Sequence, residues 1–422
     1  MSVVRDAVER LVRIPSVDGA AVVQSAQLTA DLFGAAGAAE VDIVAAGGAP
    51  AVIAHFPGPP ESRRVLLYAH HDVQPAGDGW RTPPFVPTEI DGRLYGRGTA
   101  DDKGGIAVHL AALHAHGGRP PVTVTVLVEG EEETGSPTLP RLLREHRDRL
   151  AADLVVLADG DNWETGRPAL TVGLRGLVDC TVSVRTLAAN VHSGMYGGVA
   201  PDAVTTLCRL VASFHDDTGQ IAIAGLSRGS LPTLAISEDR IRAEAGILPG
   251  IRPSGQGPIA DRLWNQPAVS VLDIDAPPAG NVLHASVRAK IGLRVPPGGS
   301  AAAAYAALRR HILELAPEAA RIHLEPGEFI EPYQLDTAGP GYTAARTAFA
   351  QAWGTPPVQV GSGGSIPLVA QFANTYPDAE IIVTGVADPA SHPHGPNESV
   401  ELDDLQKAAA AETALLTAFA VS

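Results

Sequence analysis

Four apolar runs in this chain each lead to histidine, aspartate or glutamate, and this repeated pattern limits the folds available to it. Apolar runs of this length predict strands, and strands that alternate with helical segments predict an α/β fold. We therefore expect imidazole and carboxylate groups to meet at one edge of a sheet, where they can converge on metal. The four runs and their polar ends are Leu-Leu-Tyr-Ala-His70-His71-Asp72, Val-Leu-Val-Glu-Gly-Glu131-Glu132-Glu133, Leu-Val-Val-Leu-Ala-Asp159, and Ile-Ile-Val-Thr-Gly-Val leading to His394.

Length and charge restrict the domain count and the partners. A chain of 422 residues exceeds what one hydrophobic core usually supports, so two domains are expected. The formal net charge of -16 argues against nucleic acid and anionic membranes as partners, because both attract basic patches. The N-terminal segment mixes charges into an amphipathic pattern, and no apolar run approaches the roughly 18 residues that a membrane span needs. We therefore predict a cytoplasmic protein.

The succession of elements predicts where the domains divide. Residues 1–175 alternate strands and helices, with a charged helix over 142–150. Over residues 176–332 the pattern changes to that of a smaller α+β insert, in which 225–266 is rich in Gly, Pro and Arg and predicts loops. The α/β alternation resumes over 333–422. The predicted fold is thus a mixed sheet flanked by helices, with an inserted α+β domain.

The segment after the first run places a histidine and a carboxylate at positions i and i+2. On an extended chain, His70 and Asp72 point to the same face and His71 points away. One residue can then ligate metal while the other orients it, because a carboxylate that accepts the second ring N–H of a histidine fixes its tautomer. A hydrogen-bonded histidine at a strand end, without metal, is the structural alternative.

A glycine-rich loop, residues 95–105, runs into a predicted helix and contains Asp101. A phosphate-binding loop is the competing interpretation, but Asp101 occupies the third glycine position of Gly-x-Gly-x-x-Gly, and the Gly-Lys-Ser/Thr ending is missing. An aspartate at a helix N-terminus is ordinarily a cap. Whether Asp101 binds metal therefore depends on its neighbours.

The remaining candidates are weak one at a time. Alternation along the strand predicts that Glu132 and Glu133 point in different directions, which suits a ligand beside a base; a solvated acidic turn is the alternative. Asp159 could simply begin a turn. Either His392 or His394 could ligate, since both lie in a loop rich in Gly and Pro. Several candidate ligands at equivalent positions on one predicted sheet nevertheless favour a metal site.

Taken together, the motifs resemble those of the dizinc peptidases and deacylases that include carnosinase, acetylornithine deacetylase and succinyl-diaminopimelate desuccinylase. They follow that family's order across nearly the whole chain. The stretch after Asp159, the Gly-Gly-Ser-Ile-Pro loop and the long insert look most like the dipeptidase branch. The motifs are Tyr-Ala-His70-His71-Asp72-Val-Gln-Pro, Tyr-Gly-Arg-Gly-Thr-Ala-Asp101-Asp102-Lys-Gly, Glu-Gly-Glu-Glu132-Glu133-Thr-Gly-Ser, Val-His192-Ser-Gly, Gly-Gly364-Ser365-Ile-Pro and His394-Gly-Pro-Asn-Glu398.

The resemblance implies a zinc-peptidase-like catalytic domain and two divalent metal ions, zinc first, with manganese or cobalt also suited. Asp101 would bridge the two ions, Glu132 would be the general base, and Asp72 would orient His70. The other implied ligands are His70 and Asp159 for one ion, and Glu133 and His394 for the other.

The resemblance also gives the inserted domain a role as lid and dimerisation domain of a homodimer. In it, His192 would stabilise the oxyanion, commonly from the partner subunit, and Arg294 would hold a substrate carboxylate. Further substrate contacts would come from Asn281, Gly364 and Ser365. Position 69 is Ala where the family often has Gly, and Asn-Val-Leu-His284 replaces the commoner Asn-Val-Ile-Pro next to Asn281.

The implied reaction is metal-dependent hydrolysis of an amide in a dipeptide with a free C-terminal carboxylate. The nearest alternative is deacylation of an N-acyl amino acid, distinguished by whether the pocket neutralises a free α-amino group or accommodates an acyl chain. A catalytically idle binding protein that retains the fold is disfavoured, because Glu132 and every proposed ligand are present. A Glu132→Ala variant with unchanged turnover would favour it again. A nucleotide-binding enzyme would reveal itself in a nucleotide titration.

Overall fold

The computed structural model describes residues 2–276, 280–364 and 367–421. The chain forms two compact units. Unit 1 comprises Met1–Val172, Leu335–Val360 and Pro367–Ser422, and unit 2 comprises Gly173–Gln334 and Gly361–Ile366. Residues 361–366, which the sequence analysis assigned to the first domain, therefore group with unit 2.

The helices of the described residues are, in chain order, α1 (Val3–Val12), α2 (Gly19–Ala35), α3 (Lys103–Ala115), α4 (Leu139–Glu145), α5 (Arg147–Leu150), α6 (Ser193–Tyr196), α7 (Ala203–Ala212), α8 (Glu238–Glu244), α9 (Ile259–Trp264), α10 (Ala301–Leu315), α11 (Pro340–Trp353), α12 (Pro367–Thr375) and α13 (Leu402–Phe419). A 3-10 turn covers Glu132–Thr134. Among the described helices, none has both the length and the apolar character that a membrane crossing requires.

The strands of the described residues are β1 (Glu40–Val44), β2 (Ala51–Phe56), β3 (Arg64–His70), β4 (Thr88–Ile90), β5 (Arg93–Tyr95), β6 (Thr123–Glu129), β7 (Leu154–Leu157), β8 (Ala169–Leu174), β9 (Gly176–Arg185), β10 (Val191–His192), β11 (Ala268–Asp275), β12 (Val282–Leu283), β13 (Ser286–Val295), β14 (Arg321–Ile330), β15 (Tyr333–Gln334), β16 (Val358–Ser362), β17 (Glu380–Val383) and β18 (Ser399–Glu401).

The main sheet of unit 1 has the strand order β1-β2-β6-β3-β7-β17-β8. Its four central strands, β6, β3, β7 and β17, are parallel to one another. Strand β6 pairs with β2 and β3 on its two sides, and its Val- and Thr-rich sequence is buried almost throughout, as is usual for a central strand of a parallel sheet. The carboxyl ends of the four strands therefore lie at one edge, as the apolar runs predicted.

Unit 2 contains a four-stranded antiparallel sheet in the order β11-β13-β9-β14. Alternate residues of β9 and β13 face helices α7 and α10 and form a separate apolar core. Helix α10 starts where the Ser300 side chain accepts a hydrogen bond from the backbone N–H of Ala303, a typical N-cap. Unit 2 thus has the α+β character expected of the insert.

Four details of the prediction were wrong. The helix expected over 142–150 is interrupted at His146, whose backbone leaves helical geometry between α4 and α5. Helix α2 was missed, because its Ala- and Gly-rich sequence has little charge to mark a polar face. The segment 225–266 contains the short helices α8 and α9 besides loops. Glu132 and Glu133 lie in a 3-10 turn beyond β6, so strand alternation does not set their directions.

Candidate metal centre

The carboxyl edge of the parallel strands in unit 1 brings together the side chains that the sequence proposed as ligands. Two groups of potential donors form there, and within each group the donor atoms lie within 4.8 Å of one another. One group is His70, Asp101 and Asp159, and the other is Asp101, Glu133 and His394. Asp101 belongs to both groups.

The two carboxylate oxygens of Asp101 face different histidines. Oδ1 lies 2.9 Å from Nε2 of His70, and Oδ2 lies 2.9 Å from Nε2 of His394. The same His394 nitrogen is 3.0 Å from Oε2 of Glu133. A carboxylate that presents one oxygen to each of two donor groups has the geometry needed to bridge two cations.

Asp102, not Asp101, caps helix α3. Its side chain accepts a hydrogen bond from the backbone N–H of Gly105 at 3.2 Å. The alternative role of Asp101 as a helix cap is therefore taken by its neighbour, which leaves the Asp101 carboxylate to the cluster. The peptide bond between Asp101 and Asp102 is cis.

The contacts of His70 indicate which ring nitrogen can act as a ligand. Its Nδ1 lies 3.0 Å from the backbone oxygen of Asp72 and 3.4 Å from Oδ1 of that residue. Both oxygens accept, so Nδ1 carries a proton and Nε2 is directed at the cluster. His71 points away, with Nε2 2.8 Å from the carbonyl oxygen of Pro50, and burial lowers its pKa to about 4.

Asp72 and Gln74 fix the turn that carries the two glutamates. The Asp72 carboxylate accepts the backbone N–H groups of Glu132 at 3.3 Å and of Glu133 at 3.0 Å. Gln74 donates to the Glu133 carboxylate twice, from its backbone N–H at 3.1 Å and from Nε2 at 2.9 Å. The positions of Glu132 and Glu133 therefore follow from contacts with the segment after β3.

The cluster concentrates negative charge in a poorly solvated place. Burial and the nearby charge of Asp101 raise the pKa of Asp159 well above its usual value. Hydrogen bonds to Asp101 and Glu133 raise the pKa of His394 to about 10. Burial opposes protonation of His70, but hydrogen bonds to Asp101 and Asp72 outweigh it and raise its pKa well above the usual range. The carboxylates thus hold positive charge on both histidines.

This donor set fits divalent cations. Imidazole nitrogen and carboxylate oxygen are ligands of zinc, manganese and cobalt. Both histidines direct Nε2 at carboxylate oxygens, an arrangement in which a cation can take the place of the shared proton. The residues therefore fit two cations that share Asp101.

Glu132 lies beside these donors without belonging to either group. Burial raises its pKa, the positive charge of His70 opposes that rise, and the negative charges of Asp101 and Glu133 add to it. A carboxylate with a raised pKa is a stronger base than a solvated one. This environment suits proton transfer.

His392, the alternative to His394, is exposed and is not part of either donor group found among the described residues. A further acidic group, Glu401, Asp403 and Asp404, lies at the start of α13. Its carboxylates already have partners: Glu401 accepts from the backbone of Asp404, Asp403 pairs with Lys407, and Asp404 accepts from Trp353. We therefore interpret this group as part of the N-terminal cap of α13.

In unit 2, His192 and Asn281 lie close together. Strand β10 pairs with β12 so that His192 is opposite Val282, and the backbone N–H of Ser193 donates to the Asn281 carbonyl at 2.9 Å. The His192 side chain is exposed, and its Nδ1 accepts from the Gly194 N–H at 3.1 Å. Because Nδ1 accepts, Nε2 is the ring nitrogen that can donate.

The other substrate-binding candidates are spread over unit 2. Arg294 is half-buried near the end of β13, in register with Ala268. Gly364 is exposed, and its N–H donates to the Ser362 hydroxyl at 3.2 Å, so that amide is engaged within its loop. Ser365 lies outside the described residues.

The family signature of "Peptidase family M20/M25/M40" matches residues 66–418 of this chain. The chain belongs to that family. The match spans β3 to α13 and includes each of the candidate ligands. The resemblance to dizinc peptidases and deacylases stated from the motifs is thereby confirmed.

Relatives in this family include named dipeptidases. The chain is 35% identical over 367 residues to a cysteinylglycine-S-conjugate dipeptidase of Corynebacterium striatum, covering 84% of this chain and 81% of that protein. It is 29% identical over 370 residues to human Beta-Ala-His dipeptidase, covering 81% of this chain and 72% of that protein.

Solved structures confirm the predicted fold class. Human carnosine dipeptidase 1 superimposes with a TM-score of 0.77 at 24% identity, over 99% of this chain and 96% of that one. The M20 metallo-carboxypeptidase Sso-CP2 of Sulfolobus solfataricus gives a TM-score of 0.82 at 21% identity, over the whole of both chains. The mixed α/β architecture with an inserted α+β domain is therefore that of M20 peptidases.

Sequence reasoning missed three residues that shape the site: Gln74, Arg97 and Glu398. Gln74 could have been noticed because it is at position i+2 from Asp72. Arg97 and Glu398 both occur within the quoted motifs, but neither was assigned a role. Their contacts become visible only in the folded chain.

Proposed function

We propose that this chain is a dinuclear metal-dependent peptidase that hydrolyses dipeptides or small peptides with a free C-terminal carboxylate. The observation that carries the proposal is the pair of donor groups that share Asp101, with Glu132 beside them. The class of substrate is supported by the relatives, which are named as dipeptidases.

One cation would be held by His70, Asp101 and Asp159, and the other by Asp101, Glu133 and His394. Zinc suits this mixture of imidazole and carboxylate, and manganese and cobalt accept the same donors. When bound, two such ions lower the pKa of a shared water and polarise the carbonyl of the scissile amide.

Glu132 would act as the general base and then as the acid. Its carboxylate accepts a proton from the attacking water and delivers it to the leaving amine nitrogen, so that hydrolysis leaves Glu132 unchanged. Asp72 would keep the base in place through the backbone N–H of Glu132, while its contacts with His70 keep the lone pair of Nε2 directed at the cluster.

Residues of unit 2 would recognise the substrate. Nε2–H of His192 is a suitable donor for a developing oxyanion, and the planar guanidinium of Arg294 suits a terminal carboxylate. Asn281, next to His192 in the β10–β12 pair, would add a polar contact. Gly364 and Ser365 are further candidates for substrate contacts.

A homodimer formed through unit 2 would place His192 at the partner's site. This part of the proposal is supported by exposed apolar side chains just after His192, namely Met195, Tyr196 and Val199. The cytoplasmic location stays a prediction, as does the absence of nucleic acid and membrane partners.

The test is hydrolysis of a panel of dipeptides and N-acetyl amino acids by the purified protein. Each substrate is assayed with the protein as isolated, after chelator treatment, and after return of Zn, Mn or Co. Dipeptide cleavage that chelator abolishes and metal restores supports the proposal. Cleavage of only the acyl substrates would move the protein to the deacylases, and turnover that ignores chelator would refute the metal mechanism.

A further inference from the structure

A buried ion pair lies next to the candidate metal centre but contributes no donor to it. Nη1 of Arg97 is 2.6 Å from Oε2 of Glu398, and the side chains are 1% and 0% exposed. Such pairs often stabilise a fold no better than apolar residues of similar volume would. Stability alone therefore does not explain this pair, and its role is inferred from the hydrogen bonds that Arg97 and Glu398 make with the surrounding backbone.

Glu398 fixes the loop that ends in Asp101. Its Oε2 also accepts the backbone N–H of Gly98 at 3.0 Å. Its Oε1 accepts the backbone N–H groups of Ala100 at 2.9 Å and of Asp101 at 3.1 Å. One carboxylate thus binds three N–H groups and determines where the Asp101 backbone lies.

Arg97 fixes the loop that carries His394. Its Nη2 donates to the His394 carbonyl oxygen at 3.0 Å and lies 3.4 Å from the carbonyl oxygen of Pro75. The guanidinium also lies over the ring of Trp80, 5.4 Å from its centroid. The His394 imidazole is 57% exposed and contacts Asp101 and Glu133, and Arg97 additionally holds the backbone of that residue.

We propose that the Arg97–Glu398 pair is a positioning unit that sets the distance between Asp101 and His394 and thereby tunes the metal site to which both belong. Glu398 holds the shared ligand, and Arg97 holds a ligand of one group only. The two residues should therefore differ in their effects: Glu398 influences both cations, and Arg97 mainly the one at Glu133 and His394. This inference rests on the proposed function, because it assumes metal at these donors.

The test measures zinc binding instead of activity. Metal-free full-length protein is titrated with Zn²⁺ in competition with a chromogenic chelator, which gives the number of sites and the affinity of each. Arg97→Lys keeps a positive charge beside Glu398. It removes the second guanidinium nitrogen, which donates to the His394 carbonyl oxygen. We expect one of two zinc sites to weaken about 10- to 100-fold, the usual effect of losing a residue that orients a ligand.

Glu398→Gln should weaken both sites. A glutamine amide has one acceptor oxygen and one donor nitrogen, so either the N–H groups of Ala100 and Asp101 or those of Gly98 and Arg97 face a donor. Either way the loop that ends in Asp101 loses an acceptor for its backbone, and Asp101 belongs to both donor groups. Because Arg97→Lys is the milder change, it keeps the proposal testable even if Glu398→Gln fails to fold.

Glu412→Gln is the matched control. Glu412 forms a buried pair with His109 in the same unit, at 2.8 Å, and is not among the candidate ligands or their positioning partners. It should lower the temperature of unfolding and leave both zinc affinities unchanged. Two zinc sites of wild-type affinity in Arg97→Lys and Glu398→Gln would overturn this inference alone. Wild-type protein that binds none of zinc, manganese and cobalt would contradict the proposed function itself.

Discussion

The carboxylate of Asp72 accepts the backbone N–H of Glu133 at 3.0 Å. It also accepts the N–H of Glu132 at 3.3 Å, and its Oδ1 lies 3.4 Å from Nδ1 of His70. Asp72 is thus more than the orienter of one histidine that the motif suggested. It connects a ligand of one donor group with a ligand of the other and with the proposed base.

We expect Asp72→Asn to impair both metal binding and turnover. The amide has one acceptor oxygen in place of two, so the contacts with His70 and with the glutamate turn cannot both be kept. Zinc affinity should fall about 10- to 100-fold, as for other residues that orient ligands. Metal content after dialysis against a weak chelator and kcat with excess zinc measure the two effects.

Asp153→Asn is the control for this change. The Asp153 carboxylate accepts the backbone N–H of Arg64 at 2.7 Å, at the opposite end of β3. The substitution is chemically the same and affects the other end of the same strand, while Asp153 itself lies just before β7. Equal loss of zinc in both variants would show that general destabilisation around β3 causes the loss, and that the contacts of Asp72 with the donor groups do not.

Gln74→Met should weaken the cation site formed by Asp101, Glu133 and His394. Methionine has similar volume but cannot donate to the Glu133 carboxylate, which then loses its 2.9 Å contact with Nε2. One of two zinc affinities should fall about tenfold in a chelator competition. Gln27→Met removes an exposed amide–carboxylate contact with Asp31 of the same length, and it should change neither affinity.

Glu132→Gln should abolish most turnover while metal stays bound. Glutamine cannot take the proton of the attacking water, and loss of a general base costs about 10²- to 10⁴-fold in rate. We expect kcat to fall by that factor with little change in KM, and elemental analysis to find two metals per chain. A variant with wild-type kcat would remove Glu132 from the mechanism.

Arg294→Lys should weaken binding of substrates that have a free C-terminal carboxylate. Lysine keeps the charge but loses the bidentate geometry. Since a hydrogen bond to a charged group contributes about 1.5–3 kcal/mol, KM should rise about 10- to 100-fold. Dipeptide amides should show no such rise. Arg288→Lys, on the same strand and exposed, is the matched control. An equal rise in KM in that variant would show that Arg294 has no specific contact with the substrate carboxylate.

The sheet edge that carries the site was predictable from the sequence. The strands β3, β6, β7 and β17 follow from unbroken apolar runs, and parallel strands bring their polar ends to one edge. His394 was chosen over His392 by resemblance alone, because no periodicity distinguishes two histidines in a Gly- and Pro-rich loop. Only the folded loop shows that His394 reaches the donor group while His392 does not.

Other features required long-range contacts. Alternation failed for Glu132 and Glu133 because β6 ends at Glu129 and a 3-10 turn follows. The contact between Arg97 and Glu398 joins residues 301 positions apart, so no local pattern could have shown it. A buried arginine in a motif gives a weak signal in sequence, since most arginines lie at surfaces.

The pair of His109 in α3 and Glu412 in α13 should make stability depend on pH. Nδ1 of His109 lies 2.8 Å from both Glu412 oxygens, and Nε2 lies 3.0 Å from the carbonyl oxygen of Tyr68. Both ring nitrogens thus face acceptors. Burial opposes protonation of His109, but the charge and hydrogen bond of Glu412 outweigh it and raise the pKa above the usual value.

A histidine whose pKa is higher in the folded state than in the unfolded state stabilises the protein at pH values at which the folded histidine is protonated. The contribution is fully present below about pH 6.5, the pKa of an unfolded histidine, and is lost as pH rises through the higher pKa of folded His109. Urea unfolding of wild type, His109→Gln, Glu412→Gln and the double variant gives the coupling energy of the pair at each pH. We expect that energy to be largest at pH 6 and to decrease toward alkaline pH. A coupling energy that is constant, or that grows with pH, would show that His109 is neutral in the folded protein.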